Sequence, residues 1–514
     1  MTDAWANPLS DTTADKSAGI SSAVGIDLHL AIDPRRKTDS LEAAMRDMIR
    51  DGRLAPGTRM PATRSLARDL GIARNSVAEA YSRLVGEGWL EARTGAGTWV
   101  AAGGTASEGA RAGAIPPGSA GRVGAATADV SAGGSVAGAS IRLDLRAGIP
   151  DASGFPRAAW ASAMRRAVSA APVSAFGYGD PAGAEPLRHA LATYLGRARG
   201  VSVQPTAVHV THGAGHAVQL VGRALVASGA RRIAVEEYGH QPHRDILAAL
   251  GLQTVPLPVD DTGAVVERLD ELRVDAVLLT PAHQFPTGVA LSPGRRASAV
   301  QWAERTGGFV IEDDYDGEFR FDRRAVGALQ SLAPDRVVYV GTASKALGPG
   351  IGLGWCVLPP ALIDGVAEER RLDGTKPGAL TQLALAEFLD RGEYDRAVRG
   401  ARARYRERRR YLERAVAERM PAARITGMPA GLHCLLELPD GIQEADVARQ
   451  ADHLGLALAG LQTYRVPASE PVHAEDGAAR PATMVVGFGA PPPHMFEQTV
   501  DAALTAIVAA GSRS

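Results

Sequence analysis

Residues 102–140 of this chain are mostly glycine, alanine and serine, and that stretch decides what the 514 residues can fold into. A segment with so few bulky apolar side chains cannot bury enough surface to offset the entropy of ordering itself. It reads as a flexible tether, so folded units must lie on either side of it. The chain is in any case too long for one ordinary core. The expected order is a disordered tail over 1–25, a small folded unit over 26–101, the tether over 102–140, and a large unit over 141–514. The formal net charge is −1. Nothing therefore draws nucleic acid to the whole molecule, and any such contact needs a local basic patch. Two cysteines, Cys356 and Cys434, exclude a disulfide scaffold and fit a reducing compartment. No run of about 18 apolar residues appears, and the N-terminus lacks the basic start and apolar stretch of a secretory signal. A cytoplasmic, nucleoid-associated location and no metal site are expected.

The small unit has a recognisable rhythm. Thr38 to Arg50 carries Leu41, Met45, Met48 and Ile49 on one helical face. Pro56-Gly57 marks a turn. Pro61 to Leu70 reads as a second helix stopped by Gly71. A third runs from about Ala73 to Glu87 with Val77, Ala80, Tyr81 and Leu84 as its apolar stripe. Trp89 to Arg93 and Gly97 to Val100 make a hairpin around Thr94-Gly95-Ala96-Gly97. Helix, helix, turn, helix, hairpin is a winged helix-turn-helix. The first turn of the third helix carries Arg74, Asn75 and Ser76, and Arg and Asn can pair bidentately with guanine and adenine edges. Arg64 and Arg68 suit phosphate contacts. Gly95 and Gly97 let the wing backbone approach a duplex closely. Pattern alone also allows a three-helix domain with a solvated basic face.

The large unit alternates strand-like runs with helical stretches. The runs are Ala207 to Thr211, Arg232 to Glu236, Val274 to Thr280, Phe309 to Asp313, Val337 to Gly341 and Gly354 to Leu358. This pattern predicts an α/β domain with a mostly parallel sheet. After a very basic helix at Arg399 to Arg410 comes a smaller α+β unit. Chemistry-bearing residues gather at the strand ends. Lys345, just after the strand Val337 to Val340, can form a Schiff base with an aldehyde, and Ser344 beside it can bind a phosphate. Asp313 and Tyr315 end another strand; a carboxylate there can keep an aromatic nitrogen protonated, and a phenol can donate to an oxygen. The same acidic loop can also bind a metal or nothing. Thr211-His212-Gly213-Ala214-Gly215-His216 is a small-residue turn before a helix, a natural phosphate cradle and also a common plain turn. Pro281-x-His-Gln-Phe-Pro-Thr-Gly288 closes the same sheet edge.

Two resemblances follow. Leu54-x-Pro-Gly-x-Arg-Met-Pro-x-Thr-Arg-x-Leu-Ala-x-x-Leu-Gly, then Ala73-Arg-Asn-Ser-Val, Leu84-x-x-x-Gly-Trp-Leu and Gly95-x-Gly-Thr closely resemble the GntR family of bacterial regulators. That resemblance implies that Arg64, Arg74, Asn75, Ser76, Gly95 and Gly97 contact double-stranded DNA. The four large-unit segments resemble fold-type I aminotransferases, and most nearly the MocR subgroup, which fuses the two units. Gly148-x-Pro-Asp-x-x-x-Phe-Pro and Tyr178-Gly-Asp-Pro-Ala-Gly-x-x-x-Leu-Arg fit as well. The resemblance implies pyridoxal 5'-phosphate as cofactor, Lys345 as the Schiff-base residue, Asp313 as the pyridinium partner and Tyr315 near the phenolic oxygen. It places Ser344, Gly213 and Ala214 near the phosphate, and it implies a homodimer.

The chain departs from that pattern in places. Gly352 stands where the subgroup has an arginine for the cofactor phosphate. Gly215-His216 replaces Gln-Gln. Tyr238-Gly239-His240 replaces Pro-Gly-Tyr, so His240 or Tyr238 takes the stacking role. Thr483 to Phe488 holds no arginine to clamp an amino-acid carboxylate, and Arg480 is off register. The site then either keeps pyridoxal phosphate with substituted contacts or recognises another small ligand. The leading reading is a transcription regulator whose body senses pyridoxal phosphate, alone or with an amine, without efficient turnover. An active aminotransferase with a DNA-binding head, and a body serving only as a dimer scaffold, are the alternatives.

Overall fold

The computed structural model describes residues 37–50, 54–93, 97–101, 143–321, 326–467 and 480–512. The expected tail at 1–25 and tether at 102–140 lie outside the described residues, as do wing residues 94–96.

The head is built as its rhythm predicts. Helices α1 (Lys37–Arg50), α2 (Thr63–Asp69) and α3 (Arg74–Glu87) precede an antiparallel ribbon of β1 (Leu90–Arg93) and β2 (Gly97–Val100). Leu41, Met45, Ile49, Val77 and Leu84 are completely buried, and Trp89 closes the core from below. Tyr81 donates its hydroxyl to the Pro61 carbonyl at 2.9 Å, tying α3 to the start of α2. Gly88 ends α3 at φ 87°, a left-handed conformation that side chains resist.

In the body, β3 (Val208–Thr211), β4 (Arg232–Glu236), β5 (Gln253–Leu257), β6 (Ala276–Leu279), β7 (Phe309–Asp313), β8 (Val337–Thr342) and β9 (Gly354–Val357) form one sheet. Its order is β3-β9-β8-β7-β6-β4-β5. Only β9 runs antiparallel to its neighbours; β8, β7, β6, β4 and β5 pair in parallel. The helices include α4 (Glu185–Arg199), α5 (Ala214–Ala227), α6 (Gln241–Ala249), α7 (Pro293–Thr306), α8 (Ser344–Leu347) and α9 (Pro360–Asp373). Side chains of a strand alternate between faces. Ile311, Val338, Val340 and Cys356 therefore pack under α5 and α9, while Val310 and Val337 pack under α7. Helix α10 (Glu393–Arg419) leads to a smaller antiparallel sheet of β10 (Arg424–Thr426), β11 (His433–Glu437), β12 (Ala459–Gly460) and β13 (Thr483–Gly487), ordered β10-β11-β13-β12.

Sequence and structure differ at two elements. β5 is not among the predicted strands because Pro256 interrupts its run; it sits at the sheet edge, where a missing N–H is tolerated. The basic helix is longer than its arginine run. Tyr394, Ala401, Tyr405 and Leu412 give it a buried stripe, and Arg408, itself buried, reaches Asp151 and the Phe488 and Gly489 carbonyls.

Head and body are in contact. The C-terminus of α3 rests on residues 326–332 and the start of α7. A Cβ on Gly327 would lie 2.7 Å from Glu87, and one on Gly88 would lie 3.3 Å from Leu332. Glu87 is nearly inaccessible and takes Arg46 of α1 at 2.9 and 2.8 Å. A polar cleft of about 440 Å³ runs between α1 and α4, with Glu42, Arg46 and Arg83 on the head side and Arg197 and Arg199 on the body side. Burial pushes the Glu42 carboxyl up to about 7 against the pull of Arg83 and Arg46.

Candidate functional site

The C-terminal ends of the parallel strands converge on one polar site, where open α/β sheets bind ligands. β8 delivers Lys345 at the start of α8, and its Nζ donates to the Gly148 carbonyl at 2.6 Å. Burial lowers the ammonium's pKa, partly offset by the charges of Asp313 and Asp316. Asp313 ends β7 and is buried. Its Oδ2 lies 3.5 Å from His243 Nδ1 on α6, and its Oδ1 has no hydrogen-bond partner among the described residues. Burial pushes Asp313 up to about 7, although Lys345 pulls the other way. Burial also holds His243 well below its ordinary value, so that ring is neutral.

Tyr315 OH lies 3.1 Å from His283 Nδ1, which is in turn 2.8 Å from Asp316 Oδ2. Burial, then the charges of Asp316 and Asp313, raise the phenol's pKa well above its usual value. The hydroxyl therefore stays protonated. Phe285 stands edge-on to Tyr315, His240, His433 and Tyr464 at 5.2–5.9 Å between ring centres. His283, Asp316 and His433 are close enough for their ligand atoms to lie within 4.8 Å of one another. His283 Nδ1 is already beside Asp316, so these two back Tyr315, while His433 Nε2 lies 3.2 Å from the Pro286 carbonyl.

The opposite wall is made by the turn into α5. Gly213 caps the helix at φ 134° without any side-chain cap, so first-turn N–H groups remain available to an anion. Ala214 is the first residue of α5. Ser344 Oγ accepts from Thr342 Oγ1 at 2.8 Å. Gly352 has φ 61°, with no atom within 4 Å of where a Cβ would be. His240 is exposed, edge-on to His243 at 4.8 Å. Tyr238 is buried instead, with the Arg480 guanidinium 6.0 Å from its ring centre. Of the two stacking candidates, His240 is the more exposed residue.

On the head, Arg64, Arg74 and Asn75 are exposed and Ser76 is half-buried. The first turn of α3 is therefore open, at the end of the helix opposite Glu87. A helix of 14 residues separates these ends by about 20 Å. Gly97 begins β2 and is exposed; Gly95 lies outside the described residues. Beside it, the Arg59 and Arg93 guanidiniums stand 5.6 and 4.9 Å from the Trp99 ring centre. The sequence reading assigned these three residues no role.

Comparison with known proteins matches both units. Residues 37–100 match the bacterial regulatory proteins of the gntR family, and residues 141–471 match aminotransferase class I and II. The pyridoxine biosynthesis transcriptional regulator PdxR of Corynebacterium glutamicum is 32% identical over 449 residues, covering 85% of this chain and 91% of the relative. The probable rhizopine catabolism regulatory protein MocR of Rhizobium meliloti is 35% identical, covering 71% and 74%. This chain is a MocR-type regulator of the GntR family. The regulator's body shares its fold with an archaeal alanine:glyoxylate aminotransferase (TM-score 0.64, 23% identity, 71% of this chain and 91% of that one). It is likewise similar to the α-aminoadipate aminotransferase LysN of Thermus thermophilus (TM-score 0.63, 22% identity, covering 72% and 93%).

The structure sets Lys345, Asp313 and Tyr315 of the regulator close enough for their charges to interact, and Gly354 of β9 pairs with both Thr342 and Thr211, which brings the ends of β8 and β3 together. Sequence reasoning missed His243, Asp316 and the Gly148 carbonyl. Gly148 and His283 stand in segments quoted for their resemblance without a role. His243 gave no signal, since only the fold sets α6 against the end of β7. Arg480 Nη2 donates to the Val259 carbonyl at 3.0 Å. Among the described residues no helix is long and apolar enough to cross a membrane.

Proposed function

We propose that this regulator senses pyridoxal 5'-phosphate in its aminotransferase-like body and passes the binding state to a DNA-reading head. The observation that carries the proposal is Asp313 Oδ1, a buried carboxylate oxygen at the mouth of the sheet without a partner among the described residues. Such an atom is costly unless something fills the site, and a protonated pyridine nitrogen is the partner the family resemblance supplies. The bound cofactor contributes an aldehyde that condenses with primary amines. Lys345, its ammonium weakened by burial, is the amine at hand. Tyr315, kept protonated and backed by His283 and Asp316, donates toward the phenolic oxygen. The uncapped turn at Gly213 and Ala214, with Ser344, receives the phosphate, and His240 covers the ring.

The route to the head starts on the same strand end. Asp313 faces the site, while its neighbours Glu312 and Asp314 point to the opposite face of the sheet. Glu312 accepts the Leu329 and Gln330 amides at 2.8 and 3.0 Å. Asp314 binds Arg199, which holds the Val326 carbonyl at 2.9 Å. The segment 326–330 is therefore anchored to the strand end and carries Glu87 of the head. Filling the site shifts which placement of head on body is populated. Arg74, Asn75 and Ser76 read base edges, while Arg64 and the wing at Gly97 grip the backbone. The proposed unit is a cytoplasmic homodimer, supported by the exposed apolar cluster of Val173, Phe176 and Tyr178. The reading does not require amino-acid turnover: Thr483 to Phe488 contains no arginine to clamp a carboxylate, and Arg480 Nη2 is bound to the Val259 carbonyl.

The test is an absorbance spectrum of dialysed protein with and without pyridoxal phosphate, repeated on Lys345→Ala. A visible band that appears in wild type and not in the variant supports the assignment. A band of equal strength in both removes Lys345 from it.

A further inference from the structure

Behind the turn into α5 lies a buried guanidinium without a hydrogen-bond partner among the described residues. Arg370, near the end of α9, is 2% exposed, and its Nε, Nη1 and Nη2 all lack a hydrogen-bond partner among the described residues. Five donors in a fixed fork are normally satisfied when buried, and an unpaired buried charge is strongly unfavourable. Asp373, three residues further along α9, attracts Arg370 by charge but is engaged elsewhere: Arg223 Nη1 reaches it at 3.2 Å and His216 Nε2 at 3.3 Å. Asp180 adds only a weaker Coulombic pull. The thiol of Cys356 is no anion, since burial pushes it up to about 12.

Asp373 and Asp180 act on Arg370 only through space, and its other polar neighbours are histidines. His209 on β3, His212 in the turn and His216 in the first turn of α5 are each pushed down by burial and then by the charge of Arg370. The pairing of β9 with β3 sets Cys356 opposite His209 and Gly354 opposite Thr211. Arg370 thus lies beneath the strand pair that ends in the Gly213 turn. No atom lies within 4 Å of where a Gly352 Cβ would be, so that position supplies no side-chain cation to the turn. Below the turn is a buried cation without a hydrogen-bond partner among the described residues.

We infer that Arg370 is the counter-charge for a phosphoryl dianion held at the α5 N-terminus, acting through the turn from behind. The dianion is the cofactor's own phosphate, so the inference rests on the cofactor reading above. Arg370 is a positioning residue: its charge and the uncapped N–H groups of α5 act together on one anion.

The test compares two aldehydes, pyridoxal 5'-phosphate and pyridoxal, by absorbance titration of the full chain. The proteins are wild type, Arg370→Gln and Arg370→Lys. Wild type should prefer the phosphorylated aldehyde. Arg370→Gln should lower its affinity by roughly tenfold and leave pyridoxal unchanged, while Arg370→Lys keeps most of the preference. An equal fall for both aldehydes in the variants means a structural role and overturns the inference. An unchanged preference overturns it too. Inorganic phosphate is the remaining arm. It should compete with pyridoxal phosphate; if instead it raises the melting temperature of saturated wild type and not of Arg370→Gln, the site belongs to free phosphate. A wild type that binds neither aldehyde refutes the cofactor reading itself, an outcome distinct from all of these.

Discussion

Arg199 and Asp314 form a two-point ion pair sealed inside the body, with Nε 2.6 Å from Oδ2 and Nη2 3.0 Å from Oδ1. The same arginine donates to the Gly317 and Val326 carbonyls, and Tyr339 adds its hydroxyl to Asp314 at 2.8 Å. One guanidinium thereby joins the strand end beside the cofactor site to the segment beneath the head. Arg199→Met leaves Asp314 buried without its cation. Stability should fall by about 3–5 kcal/mol, read by urea denaturation. Loss of less than about 1 kcal/mol would mean the pair is dispensable.

The contact of Glu87 with Gly327 offers a gentler way to separate head from body. Gly327→Val puts a side chain where Glu87 already lies. Cofactor affinity should stay within about twofold of wild type, because the substitution is remote from Lys345. The dependence of operator affinity on cofactor should vanish, since the two equilibria are no longer linked. Fluorescence anisotropy with an operator selected from a random duplex pool checks both quantities.

Asp313 predicts a pH dependence with a definite sign. Its folded value, pushed up to about 7, exceeds the ordinary 3.8, so the folded state holds its proton more tightly than the unfolded chain. That contribution to stability is complete below about pH 4 and is lost as pH rises through 7. Asp313→Asn does not titrate. Without cofactor, the variant should be more stable than wild type at pH 8, by roughly 4 kcal/mol, and the two curves should meet near pH 4. Melting temperatures across that range decide it. A wild type that gains stability from pH 4 to 8 relative to the variant would reverse the sign. Saturating cofactor should also close the gap at pH 8, by giving the carboxylate a cation.

The two DNA roles separate by salt and by sequence. Arg74→Ala should cost about 1–3 kcal/mol on the selected operator and relax the preference at one base position. Arg64→Ala should weaken all duplexes alike and reduce the salt slope by about one. Titrations at several salt concentrations distinguish them.

Much of this was legible from local pattern. Period-2 and period-3.6 apolar spacing placed the head helices and most sheet strands, since burial on a face imposes those spacings directly. Lys345, Asp313 and Tyr315 stood out because strand ends followed by polar residues are where α/β sheets expose chemistry. The partners of those residues were not legible. Arg199 meets Asp314 across 115 positions and Tyr315 meets His283 across 32, and no local spacing encodes such pairs. Arg408 sits in a run that reads as solvated charge, yet it is buried against Asp151. Arg370 likewise reads as an ordinary helix-end arginine (basic residues favour that position) until the fold closes over it.

The account turns on whether filling the Lys345 site changes the grip on DNA. The most direct measurement follows visible absorbance and operator anisotropy together as pyridoxal phosphate is added to wild type and to Lys345→Ala. In wild type both signals should move along one binding curve, with operator affinity shifting by about fivefold or more. Lys345→Ala should bind operator as cofactor-free wild type does and respond to neither. Equal shifts of DNA affinity in both proteins, or a saturated band in wild type with no change in DNA affinity, would contradict it.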